Sequence, residues 1–176
     1  NTSIRLNAIA LDNSETFDDY LQIGGVLDNL CNAACQTCSP SCSTRIGSLH
    51  SRTFPIVNNT DQFWQFPQNR IRHLDINGGE PTMIKAHFEY LKDLITQGTA
   101  KNVHLVYSLN MMDIPDRLIE LWKDFKQVTV NASIDDLGER NYYIRYPSKW
   151  EETVASIDKL TKLPNVNWHV TQTVSI

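Results

Sequence analysis

From residue 71 onward the apolar positions switch between two periods in regular alternation. Residues 71–76 alternate as a strand does, with Leu74 and Ile76 on one face, and Gly78-Gly79-Glu80-Pro81 breaks the run. Ile84, Phe88, Leu91 and Ile95 then fall at helical spacing, and Gly98 stops that helix. Residues 103–109 read as a strand. Pro115 suits the first turn of a helix whose inner face is Leu118, Leu121, Trp122 and Phe125. Residues 128–134, rich in β-branched side chains, are a further strand. Ser148 and Glu151 have the spacing of a capping box for a helix with Trp150, Val154, Ile157 and Leu160 turned inward. Residues 166–176 form a last strand.

Ahead of this alternation, Leu21, Ile23, Val26 and Leu27 make a short strand with Gly24 and Gly25 in its middle, where a close approach by another group is expected. Residues 1–20 are weakly patterned and read as an N-terminal extension. Residues 39–59 are loop-like, and a short helix is expected near residues 60–66. Five strands alternating with helices predict an α/β fold with a parallel sheet wound in βα units. Such folds place their chemistry at the C-terminal ends of the strands. Ending on a strand predicts that the 176 residues are a fragment of a longer protein, or one with very short ends.

Composition narrows this little. The chain is 41% hydrophobic and 20% charged, as an ordinary globular domain is. A net charge of −4 gives no electrostatic footprint for nucleic acid, and no apolar run approaches the length of a membrane span. The cysteines change the picture. All four lie between Cys31 and Cys42, which points to bound metal in a reducing, cytoplasmic compartment and not to a disulfide scaffold.

Three of them, Cys31, Cys35 and Cys38, form C-x3-C-x2-C directly after the first strand. Soft thiolates at this spacing suit zinc or an iron–sulfur cluster. A four-iron cluster held by three protein sulfurs keeps one iron open. Gly78 and Gly79, lacking Cβ, would let main-chain carbonyls reach a ligand's ammonium group, with Glu80 adding a carboxylate and Pro81 setting the exit direction. A plain structural turn is the competing reading of the same tetrapeptide.

Together these features resemble the radical S-adenosylmethionine (SAM) enzymes. Ser133-Ile134-Asp135 with Arg145 is similar to a Ser-x-Asp…Arg pattern of the family's SPASM and twitch branch, and Ser108-Leu109-Asn110 sits where that branch often has Thr-Asn-Gly. The resemblance spans residues 21–176 and implies the core domain of such an enzyme, a partial parallel (βα)n barrel. It implies that Cys31, Cys35 and Cys38 hold a 4Fe–4S cluster whose open iron takes SAM. By the same resemblance Gly78, Gly79 and Glu80, followed by Pro81, bind its amino group. Ser133 and Arg145 bind its carboxylate or ribose, and Ser108, Asn110 and Asp135 are further contacts. Reductive cleavage of SAM would give a 5′-deoxyadenosyl radical that abstracts hydrogen from a peptide or nucleotide-like substrate. An external electron donor, a small reductase or flavodoxin-type protein, is implied as partner.

The chain departs from the pattern at Thr37, where an aromatic residue is usual, and at Met111, where glycine would follow Asn110. No adenine-contacting motif is recognisable in residues 168–176. Cys42 reads as a small semi-buried thiol, or else as a fourth ligand closing a four-thiolate site. The histidines, His50, His73, His87, His104 and His169, share no spacing, and the tryptophans read as core. Asp135-Asp136 reads as a turn and helix start. Two other functions remain open: a non-catalytic zinc or electron-transfer metalloprotein, and a degenerate barrel that binds a ligand without radical chemistry.

Overall fold

Apolar residues at every second position of three runs (residues 71–77, 104–109 and 127–133) dictate a sheet with one buried face. In the computed structural model, which describes residues 20–50 and 57–174, the chain runs β1 (Leu21–Val26), β2 (Ala34–Cys35), α1 (Thr44–Leu49), α2 (Thr60–Phe63), β3 (Ile71–Asn77) and α3 (Lys85–Thr96). It continues through β4 (His104–Leu109), α4 (Asp116–Trp122), β5 (Gln127–Ser133), α5 (Gly138–Ile144), β6 (Arg145–Tyr146), α6 (Trp150–Thr161) and β7 (Val166–Thr171). The extension expected over residues 1–20 lies, but for Tyr20, outside the described residues, as do the last two positions of the expected final strand.

The main sheet has the order β1-β3-β4-β5-β7, parallel throughout, so each strand lies beside the one made before it. The fold is therefore α/β with a five-stranded parallel sheet, and the sheet is open among the described residues. Successive right-handed crossovers that never reverse direction put the connecting helices on one face. That face is dry: Leu74, Ile76, Leu105, Tyr107, Leu109, Val128, Val130 and Ala132 are at most 1% exposed. Phe88 and Leu91 of α3, Leu118 and Trp122 of α4, and Leu160 of α6 belong to the same core. The other face is half-buried and mostly polar, with His73, Asp75, His104, Thr129 and Asn131 along it.

Several expectations change in detail. Residues 39–59 are not all loop: α1 forms there, with the Ser43 Oγ accepting from the Ile46 amide at 3.4 Å. The capping box does not form. Lys149 occupies the cap of α6, while Ser148 is fully buried with its Oγ 3.2 Å from Thr153 Oγ1. The buried stripe of α6 runs through Thr153, Ser156 and Leu160, so Val154 is turned outward and 47% exposed. Trp150 and Ile157 pack at its edge, as Ile95 and Leu121 do on their own helices.

Beyond the strands proper, the β1–β3 pairing continues. Gly79 donates to the Asp28 carbonyl at 2.8 Å and Glu80 to the Leu30 carbonyl at 2.7 Å. The contact is so close that a Cβ on Gly79 would stand 2.2 Å from the Leu30 oxygen, main chain that has nowhere to go. On Gly25 a Cβ would meet only Phe63, at an ordinary 3.8 Å. Gly79→Ala is therefore expected to lower stability by about 2–3 kcal/mol, the scale of an overpacked interior. Gly25→Ala should stay within about 1 kcal/mol. Urea unfolding of the two variants checks the contrast.

Candidate functional site

The residues that carry chemistry collect at the C-terminal ends of β1, β3, β4 and β5. The loop after β1 begins with a local turn in which Leu30 donates to Asp28 Oδ1 at 2.7 Å. It is then gripped by the start of α1. The Cys31 amide donates to Thr44 Oγ1 at 3.2 Å, the Ser43 hydroxyl donates to the Ala33 carbonyl at 2.7 Å, and Arg45 donates to the Asn32 carbonyl at 3.1 Å. A helix too short to stabilise itself is thus fastened to the loop it supports.

The loop's far side is held by β6. Ala34 and Cys35 pair antiparallel with Tyr146 and Arg145, and the Gln36 amide donates to the Ile144 carbonyl at 2.9 Å. Cys31, Cys35, Cys38 and Cys42 are all free thiols. Cys42 is exposed, not semi-buried as its small size suggested, because residues 36–39 and 41–42 stand out in solvent. Burial pushes the Cys31 thiol up to about 11, with the Glu80 charge adding to the effect. Burial raises Cys35 and Cys38 as well, partly offset at Cys35 by the Arg145 charge.

Among the described residues no three His, Cys, Asp or Glu side chains are drawn together tightly enough to hold a metal ion. The donor set nevertheless fits a thiolate-bound metal or cluster. Three unpaired sulfurs share one short loop, each close enough to its neighbour for their charges to interact. Binding would displace the thiol protons and draw the loop in around the metal.

The turn after β3 is set by its own side chains. Glu80 is 1% exposed and caps a short 3-10 turn, Pro81–Met83. Its Oε1 accepts from the Thr82 hydroxyl at 3.0 Å, and its Oε2 accepts from the Asn110 amide at 2.8 Å. The Glu80 carboxylate is thus already engaged by protein donors, and an ammonium group would be an additional partner. His87, buried on α3, holds the Pro81 carbonyl at 3.0 Å and the Tyr107 hydroxyl at 2.8 Å, so it is a packed core histidine.

Asn110, at the end of β4, reaches across to the cysteine loop and donates to Asn32 Oδ1 at 2.7 Å. Its own Oδ1 accepts from the Met112 amide at 3.0 Å, a local turn that leaves Met111 between them at φ 62°. That left-handed backbone is the one glycine adopts freely. The departure at Met111 therefore keeps the turn and places a buried side chain in it. Ser108, on the polar face of β4, is half-buried, and so is Ser133 at the end of β5.

Asp135 and Arg145 meet, but Ser133 and Arg145 do not pair. Arg145 Nη2 donates to Asp135 Oδ1 at 3.0 Å, and Nε stands 2.7 Å from Oδ2 as a close charge contact without hydrogen-bond alignment. Asp135 Oδ1 also accepts from the Thr173 amide at 2.8 Å, and Gln172 donates to its carbonyl. Asn141 of α5, 1% exposed, accepts from the Asp135 amide at 3.1 Å. Asp136 accepts from the Leu137 amide and pairs with Arg140, so the Asp135-Asp136 turn does open a helix. A cavity of about 380 Å³ flanks this turn, walled by Trp150, Ile157, Trp168 and Val170, and no residue of the cysteine loop lines it.

Searches against protein-family models and curated proteins return no match for this chain. No helix among the described residues is long and apolar enough to cross a membrane.

Glu80 gives the site a measurable pH dependence. Burial lifts its carboxyl from 4.5 to about 7, against the pull of Asn110 and Thr82. The folded state binds this proton more tightly than the unfolded chain does. The contribution is therefore full below about 4.5 and is lost as pH rises towards about 7. His87, depressed by burial to about 4, acts in the opposite sense over an overlapping range. The difference between wild type and Glu80→Gln isolates the carboxylate. Relative to Glu80→Gln, wild type is expected to lose up to roughly 3 kcal/mol between these pH values, read from urea midpoints at each pH.

Proposed function

We propose that this chain is the core of a radical SAM enzyme and that its open sheet is an arc of a (βα)n barrel. The observation that carries the reading is the joining of separate motifs at one end of the sheet. The cysteine loop bonds directly to the Gly78–Pro81 turn through Gly79 and Glu80, to Asn110 through Asn32, and to the Asp135–Arg145 pair through Cys35. A purely structural Gly-Gly turn gives no reason for it to be bonded to the segment that leads directly into three clustered cysteines.

On this reading Cys31, Cys35 and Cys38, the C-x3-C-x2-C set, hold a 4Fe–4S cluster, and Cys42, outside that spacing, stays out of the ligand set. When bound, the cluster supplies the electron that cleaves SAM to methionine and a 5′-deoxyadenosyl radical. The protein's share is orientation. Gly78 and Gly79 allow close main-chain approach, Glu80 sets the direction of Pro81, and Asn110 locks the β4 turn to the loop. Ser108 and Ser133 offer hydroxyls to the cofactor from neighbouring strand ends. Asp135 and Arg145 stand behind Cys35. The half-buried polar face of the sheet suits a peptide or nucleotide-like substrate, and a small reductase or flavodoxin-type protein in the cytoplasm is the matching electron donor.

Anaerobic reconstitution with iron and sulfide, then dithionite and SAM, is expected to yield 5′-deoxyadenosine. Formation should vanish in Cys35→Ala and survive in Cys42→Ser. A protein that takes up one zinc per chain, needs Cys42 as much as Cys31 and incorporates no iron would instead be a tetrathiolate metalloprotein.

A further inference from the structure

Arg145 is held from both sides. Behind it, the Asp135 carboxylate is wholly buried, receives Nη2 at 3.0 Å and lies 2.7 Å from Nε, and is itself anchored by the Thr173 amide. In front, Cys35 and Arg145 are register partners of β2 and β6, so the main chain sets their spacing. The remaining terminal nitrogen, Nη1, stands 3.9 Å from Cys35 Sγ and donates toward it. Turning the guanidinium to a cofactor's carboxylate would strip Asp135 of its counter-charge in a buried place, a heavily penalised arrangement.

We propose that Arg145 is a positioning residue for Cys35, holding a fixed N–H and a positive charge against that sulfur, and not the receptor for the cofactor's carboxylate. The inference rests on reading the cysteine loop as a cluster-binding loop. One-electron reduction adds negative charge to the irons and sulfurs of a bound cluster. A cationic donor beside a ligand sulfur stabilises that charge and raises the reduction potential. Asp135 serves by aiming the guanidinium, which links β5 and the residues after β7 to the same sulfur.

The test compares reconstituted wild type, Arg145→Gln, Arg145→Lys and the double variant Asp135→Asn/Arg145→Gln, which leaves no uncompensated buried carboxylate. Midpoint potentials are read by spectroscopically monitored titration with dithionite, and SAM affinity by equilibrium binding to the same preparations. Both glutamine variants are expected to favour the oxidised cluster by on the order of tenfold, about 59 mV more negative for one electron. Arg145→Lys should recover part of the shift, and SAM affinity should change less than about threefold, well short of a tenfold loss. An unchanged potential with SAM binding weakened tenfold or more would overturn the inference and put Arg145 on the cofactor. Wild type that incorporates no iron would remove the cluster reading itself, and this inference with it.

Discussion

Two main-chain hydrogen bonds, from Gly79 to Asp28 and from Glu80 to Leu30, hold the rest of the site in place. They extend a parallel ladder past the point where the strands end, and so weld the start of the cysteine loop to the turn after β3. The approach is possible only because Gly79 has no side chain. Glu80 then passes the constraint on through Asn110, whose side chain returns to the loop at Asn32. Backbone and side chain together make a closed circuit around residues 28–32, the Gly78–Pro81 turn and the end of β4.

The circuit is polar but screened from water, which explains its electrostatics. Glu80 has three protein donors and is still pushed towards neutrality, because full burial outweighs what those donors return. Burial raises the thiols in the same way, with Cys35 relieved by the guanidinium beside it. Negative charge on this end of the sheet is therefore disfavoured except where a cation stands close. The buried Asp135 carboxylate has the Arg145 guanidinium directly against it.

The α/β alternation, the five strands and the residues at their tips were legible because each rests on a local signal: an apolar period, a glycine pair, or clustered thiols. What escaped is set by tertiary contact. The segment around α1 is rich in Ser and Thr and shows no apolar period. Its helix exists because Ser43 and Thr44 find partners in the cysteine loop. β2 and β6 are two residues each and have no pattern to display. Ser148 and Glu151 had the right spacing for a cap, but burial of Ser148 against Thr153 placed the helix start one residue later. Arg145 was visible as a candidate cation, but its partner was not. Choosing Asp135 over a ligand requires knowing that α5 folds the intervening residues back. Asn32 and Asn141 carry no motif at all.

The pairing of Cys35 with Arg145 has a consequence for synthesis. The two residues are 110 positions apart, so a ribosome making roughly 5–20 residues per second exposes the thiols roughly 5–20 s before the segment that braces them. Throughout that interval the nascent chain carries oxidisable sulfur on a loop that lacks its β6 partner. The loop's second support arrives only once α5 has carried Arg145 across to it.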